Sequence, residues 1–475
     1  MKRPLGLADN FFLRTESRAA PQHMAGLMIF KKPPNSGQQF LKIVFNEMRG
    51  FSVNRRPFNE ILSKGAIEKI IPAFETVDQT SIDIDYHFRH SALPKPGGEL
   101  ELGQLVSRLY ANPLDMTKPL WELHLIEGLS KQRFAIFCKI HHALADGMSG
   151  MKILFDWLTP IAGDDAFIPV WHCPEEHLES DAEHDAVITA GLPHQRKPSK
   201  TIRDARGLAG SIIDLQLTGV KLAGKFLLGS AALSLPFRAP RTQLNAKISG
   251  ARRIATQDIE FARFKRLAEQ LNVTINVIVL AIIGDALKRY IQEVTLIPEK
   301  TMIALNLVSL RREGRQEKAG NMIGFILADL ATDSEDIIER VERIRASTEE
   351  GKNYLRGLSP LSAQLVSAMP MVNERLALAA GFEDYIDPSQ NIMVSNLPGF
   401  LEDRYLGRCK LDSLYLPSVI DHGNPLLITV VTCVKKLCFT VVACPDVATS
   451  SQNIAVYLPW AISRLEVAAS KAAQK

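Results

Sequence analysis

Between Asp164 and Lys200 the chain changes character, and that break limits what it can fold into. The stretch gathers acidic residues and histidines around Glu175 to Asp185, then Pro193, Pro198 and basic neighbours, without apolar periodicity. Polar sequence punctuated by proline makes linkers rather than cores. A chain of 475 residues is too long for one ordinary core, so the break predicts a folded part on each side of it. The apolar fraction of 46% against 23% charged leaves both parts enough material for a core.

Before the break the pattern is α+β. Ile82, Ile84, Tyr86 and Phe88 alternate with polar residues and predict a half-buried strand. Trp121 to Leu125 and Phe134 to Cys138 predict a hairpin with its turn near Gly128 to Gln132. Ile153, Leu154, Trp157 and Leu158 recur at helical spacing until Pro160. After the break come a long apolar helix over 212–233 and a helix with Phe261, Phe264, Leu267 and Leu271 on one face. A third helix is opened by Thr274 as N-cap and runs through Tyr290. Strands follow at 301–309, 391–395, 425–432 and 437–443, the last two a hairpin across Lys435-Lys436. The fold class is α/β (α+β), divided into 1–163, a linker with its apolar helix at 164–240, and 241–475.

Composition excludes several functions. Fifty-six basic and 52 acidic residues give a net charge of +4 with no clustered basic face, which argues against nucleic-acid binding. The six cysteines form no CxxC pair and read as buried free thiols, in keeping with a reducing cytoplasm. Met1 to Gly6 lacks a signal peptide's apolar core. The most apolar stretch, 208–237, is interrupted by Asp214, Lys221 and Lys225 before reaching the ~20 residues of a membrane span. His172, His177, His184 and His194 match no metal-ligand spacing and read as solvated loop residues.

The run His141-His142-Ala143-Leu144-Ala145-Asp146-Gly147 sits where the strand 133–140 ends and a helix begins. Successive strand side chains point to opposite faces, so the two histidines cannot share one pocket: one is functional and the other structural. An imidazole on such a rigid corner suits a general base, since its ordinary pKa is ~6.5. Asp146 could orient the ring or hold the loop through a cation, and Gly147 permits a turn that a side chain would hinder. A polar turn without chemistry is the rival reading. A metal held by His142 and Asp146 lacks an evident third ligand, so none is expected.

Further blocks accompany this corner: Leu7 to Leu13 with Glu16, Gln22 to Leu27, Asp85 to His90, Pro113-Leu114-Asp115 and Pro119-Leu120-Trp121-Glu122. Beyond the break are Pro240-Arg241-Thr242 with Asn245, Ser309-Leu310-Arg311 with Gly320-Asn321, and Val394 to Gly399. In this order, from about residue 7 to 446, they resemble the bacterial wax ester synthase/diacylglycerol acyltransferase family, within the chloramphenicol acetyltransferase and condensation-domain superfamily.

The resemblance implies two chloramphenicol-acetyltransferase-like domains with a channel between them, and acyl-CoA-dependent formation of triacylglycerol or wax ester. It assigns His142 as the base. It makes His141, Asp146 and Gly147 its support, with Arg311 as the partner of Asp146. Asn276, Ser395, Asn396 and Gly399 would reach the channel from the second domain, and Pro119, Leu120 and Trp121 would line a substrate tunnel unless Trp121 is plain core. No cofactor is implied beyond acyl-CoA as co-substrate; the acceptor is diacylglycerol or a long-chain alcohol. The expected location is cytoplasmic, with peripheral contact at a membrane or lipid inclusion through the helix at 212–233, or with that helix packed across both domains. A same-fold transferase using another alcohol or a carrier-protein thioester is the first alternative. A lipid-binding paralogue is the second, because Val277 stands where the family has aspartate. Gln22 replaces the usual methionine, and Thr432-Cys433 stands for Ser-Tyr.

Overall fold

The computed structural model describes residues 2–64, 72–163, 166–173, 234, 236–294, 298–309, 323–358, 360–379, 381–382 and 385–474. The apolar helix expected at 212–233, three of the four linker histidines and Arg311 lie outside the described residues. The first half contributes β1 (Lys2–Pro4), α1 (Leu7–Thr15), β2 (His23–Lys31), α2 (Phe40–Arg49), β3 (Glu60–Leu62), β4 (Ala73–Thr76) and α3 (Ile84–His87). It continues with β5 (Phe88–Ala92), α4 (Glu99–Ala111), β6 (Trp121–Glu127), β7 (Arg133–His141) and α5 (Gly147–Trp157). The second half has β8 (Arg253–Glu260), α6 (Phe261–Gln270), α7 (Ile275–Val294), β9 (Ile303–Ser309), β10 (Ile323–Asp329), α8 (Ile337–Arg356) and α9 (Pro360–Ala379). It closes with β11 (Ile392–Phe400), β12 (Tyr405–Leu406), β13 (Cys409–Tyr415), β14 (Leu426–Cys433), β15 (Lys436–Ala443) and α10 (Gln452–Ala472).

Two six-stranded mixed sheets carry the molecule, in the orders β12-β13-β2-β7-β6-β5 and β10-β9-β11-β14-β15-β8; β1, β4 and β3 form a small third sheet. The expected hairpins are present: β6 pairs antiparallel with β7, and β14 with β15. Helix α7 buries nearly its whole circumference, from Val277 to Ile291, which is the signature of a core helix. Thr274 caps it, accepting the Val277 N–H at 3.4 Å. Close packing is set by small residues: a Cβ on Gly399 of β11 would fall 1.9 Å from the Thr432 carbonyl oxygen of β14.

One expectation needs correction. The alternation from Ile82 to Phe88 is not a strand, because the Asp83 carboxylate accepts the Asp85 N–H and caps the short helix α3; strand geometry begins only at Phe88. The second half also contributes to the first sheet. Strand β13, inside the stretch 241–475, pairs antiparallel with β2 from Lys410↔Lys31 to Tyr415↔Leu27. Side chains lock this crossing: Ser413 donates to Asp258 at 2.7 Å, and Lys436 reaches the same carboxylate at 3.0 Å. Farther along, the Ile254 N–H donates to Ser107 of α4 at 2.8 Å, and Arg252 donates to the Ala19 carbonyl at 2.9 Å.

Among its described residues the second half holds a fully buried charge pair. Asp285 of α7 accepts from Arg340 of α8 at 2.5 Å, both almost without exposure, and Arg464 of α10 joins the same oxygen. Removing the carboxylate strands a buried guanidinium, a loss of about 3–5 kcal/mol. Asp285→Ala is therefore expected to lower the melting temperature sharply in calorimetry; a melting curve like the wild type would show that the guanidinium finds other partners.

Candidate active site

Strand β7 is central in the first sheet, between β2 and β6, and delivers His141 opposite His23 of β2. The chain then leaves the sheet under backbone restraint from both neighbours. The His141 N–H donates to the Leu120 carbonyl at 2.9 Å, and the His142 N–H to the Gln22 carbonyl at 2.9 Å. His141 is buried, its Nδ1 accepting the Ala143 N–H at 3.1 Å. In the neutral ring the proton is then on Nε2, 3.3 Å from a Glu16 carboxylate oxygen. That carboxylate also accepts the Gln22 N–H at 2.5 Å, so one acidic side chain braces the corner on two sides.

His142 faces the other way, as the strand period requires. Its ring stacks on Phe12 of α1 with centroids 3.9 Å apart and planes 21° from parallel. Burial pushes its pKa down to about 4; Asp146 and the residue's own backbone carbonyl oppose the shift, and His141 adds to it. Nδ1 is buried with no partner at hydrogen-bond geometry among the described residues, which leaves Nε2 as the atom able to meet a substrate. The ring is therefore a neutral acceptor throughout the neutral pH range. Asp146 is the N-cap of α5, its carboxylate accepting the Ser149 N–H at 2.7 Å. Gly147 does not have a left-handed backbone; it opens α5 beside Leu397 of β11, which a Cβ at this position would meet at an ordinary contact distance of 3.5 Å.

That contact brings the second half to the corner. Next to Leu397, Asn396 donates to Asn276 of α7 at 3.2 Å, so these two candidate residues meet. Ser395 is half-buried in β11 opposite Thr429, and Gly399 serves the tight β11–β14 packing. Val277 points away from this pair into the second core, 3% exposed. Pro119 and Leu120 are buried, and Leu120 touches the site through its carbonyl to His141. Trp121 is core: it stacks on His87 and Trp171, meets Phe58 edge-on, and donates its Nε1–H to the Phe58 carbonyl at 2.8 Å. Among the described residues no three His, Cys, Asp or Glu side chains gather as a metal set.

Phe12 was not singled out from sequence, and Glu16 was noted only within a block. Their signal is spacing. Asp9 and Phe12 stand three apart on α1 and Glu16 is the residue that ends it, and all three reach the corner: Asp9 feels the charge of Asp146, Phe12 covers His142, Glu16 meets His141.

Residues 5–279 match the wax ester synthase/diacylglycerol acyltransferase catalytic domain, and residues 319–466 match the C-terminal domain of the same family. The chain is 35% identical over 469 residues to a probable diacylglycerol O-acyltransferase of Mycobacterium tuberculosis, covering 97% of this chain and 98% of that one. It is 32% identical to the O-acyltransferase WSD of Acinetobacter baylyi, with 98% and 97% covered. The solved wax ester synthase/diacylglycerol acyltransferase of Marinobacter aquaeolei superposes with a TM-score of 0.75 at 26% identity, over 98% of this chain and 100% of that one. A condensation domain of the calcium-dependent antibiotic synthetase shares the fold alone, at 0.55 and 14% identity over 99% of this chain and 96% of that one. With both domains matched in order along nearly its whole length, the chain belongs to the wax ester synthase/diacylglycerol acyltransferase family.

Proposed function

We propose that this chain is an acyl-CoA-dependent O-acyltransferase that forms triacylglycerol from diacylglycerol, wax ester from a long-chain alcohol, or both, with His142 as general base. The observation that carries this reading is the neutral imidazole on the rigid corner of β7 and α5, beside the Asn396–Leu397 segment of the other half. The acceptor hydroxyl gives its proton to Nε2 of His142 while its oxygen attacks the thioester carbonyl carbon. The C–S bond then breaks, and the imidazolium returns the proton to the leaving thiolate, which departs as the CoA thiol. Asn396 is the candidate donor to the oxyanion: an amide nitrogen has two N–H groups, and Asn276 takes one. A ring with a depressed pKa is an easily freed but weak base, so positioning and oxyanion stabilisation supply much of the rate.

The lipid-binding alternative rested on Val277. The structure puts that side chain in packing while the Asn276–Asn396 contact persists, which favours the catalytic reading. No described helix is by itself long and apolar enough to cross a membrane. Apolar acceptors are met at a lipid surface, so the proposed place of action is the face of a membrane or lipid inclusion.

Release of CoA thiol from palmitoyl-CoA with dioleoylglycerol or hexadecanol tests the function, and no release with either acceptor would defeat it. His142→Ala is expected to lower kcat by about 10²–10⁴-fold; unchanged turnover would remove the mechanism while leaving the activity. The unprotonated ring is the active form, so kcat/KM is expected to be level through neutral pH and to fall only as pH drops through about 4. A single acid limb nearer ~6.5, the ordinary histidine value, would contradict the buried state of the ring.

A further inference from the structure

We infer that Phe12 is a positioning residue for acyl transfer: its ring, stacked on one face of the half-buried His142, fixes the plane of the imidazole and shields that face from water. The inference rests on the reading of His142 as the base.

The contact is face to face, 3.9 Å between centroids and 21° from parallel, which leaves the ring edge bearing Nε2 as the approach for a hydroxyl. Helix α1 is itself held at both ends. Before it, Lys2–Pro4 pairs with β4 and the Leu5 N–H donates to the Pro72 carbonyl at 3.1 Å. After it, Glu16 accepts from the Gln22 N–H. The adjacent ring, Phe11, packs under the Arg375 guanidinium of α9 at 4.5 Å, so neighbouring phenylalanines tie α1 to opposite halves of the molecule.

Charge alone does not explain a neutral His142. From the corner, Asp146 favours the protonated ring and His141 disfavours it. From α1, Asp9 is itself pushed towards its neutral acid by burial, and Glu16 is engaged with His141 and Gln22. Just before β2, Gln22 presents a neutral carbonyl to the His142 N–H. From α9, Arg375 is paired with Asp421, and from β11 and α7 come the neutral amides of Asn396 and Asn276. Burial is the largest influence on the ring, and Phe12 is the side chain stacked on its face. Without the phenyl, water reaches the imidazole and its protonated form is solvated.

The test is the titration of His142, followed by NMR with ring-labelled histidine in the full chain, together with the pH profile of kcat/KM, in Phe12→Ala, Phe12→Leu and Phe12→Tyr. In Phe12→Ala both the ring titration and the acid limb are expected to move up together by at least one unit, with kcat falling more than KM rises. Phe12→Leu should shift less in the same direction, and Phe12→Tyr, which keeps an aromatic ring, should keep the low titration of His142. If Phe12→Ala does not fold, the leucine variant carries the comparison. A ring that titrates as in the wild type in the folded variants overturns the proposal. A ring titration that moves while the acid limb stays put overturns the assignment of His142 as base, and the role of Phe12 in acyl transfer with it.

Discussion

The register between β2 and β7 decides which way each histidine of the corner faces. From His23↔His141 to Lys31↔Arg133 the two strands pair without a slip, in the middle of a sheet whose next neighbours, β13 and β6, are also paired. A shift of one residue would exchange the two faces of the strand. His142 would then enter the packed side where His23 and Tyr110 exchange hydrogen bonds, and His141 would take its place under Phe12. The ladder also carries polar groups into the interior. Lys139 is fully buried, and its ammonium donates to the carbonyls of Leu109 and Asn112 beside Glu122. Each such group specifies the register, because only one alignment gives it partners.

The same interior sets the electrostatics of the site. Burial pushes the pKa of His23 well down, that of His142 to about 4, and that of the Tyr110 phenol upward. For these three groups burial favours the neutral form. In the proposed mechanism the imidazolium would therefore exist only while the tetrahedral intermediate does, with Asp146 as the nearby opposite charge. A resting enzyme with a protonated base would have to discard that proton before each turnover; this fold avoids the step.

What the sequence reveals of this molecule depends on the range of the interactions. The hairpin of β6 and β7 was legible as two apolar runs either side of turn residues, the helix after Gly147 by its helical spacing, and α7 by the capping chemistry of Thr274. Strand β2 was not, since His23 to Phe30 is almost wholly buried and its composition does not alternate. The run from Ile82 misled because a local carboxylate–amide bond at Asp83 outcompetes period-two patterning. Within the site, the strand-end argument separated His141 from His142, and the family blocks gave Asn276 and Asn396. The stack of Phe12 on His142 joins residues 130 positions apart, and no local pattern encodes such a contact. Trp121 shows the converse: a residue inside a family block whose surroundings, His87, Phe58 and Trp171, are those of a core.

Strand β13 bears on how such a molecule can move. The chain leaves the second sheet after β11, pairs in the first as β12 and β13, with β13 against β2 from Lys410 to Tyr415, and returns as β14. The two halves are thus stitched rather than hinged. Swinging them apart to admit two long-chain lipids would tear a hydrogen-bonded ladder or unfold the segments flanking it. Substrate traffic is mechanically easier through smaller parts at the seam, such as side-chain rotation or a shift of α1, than by opening the molecule like a clam. Architecture here trades breadth of motion for a fixed distance between the base and the strand that faces it.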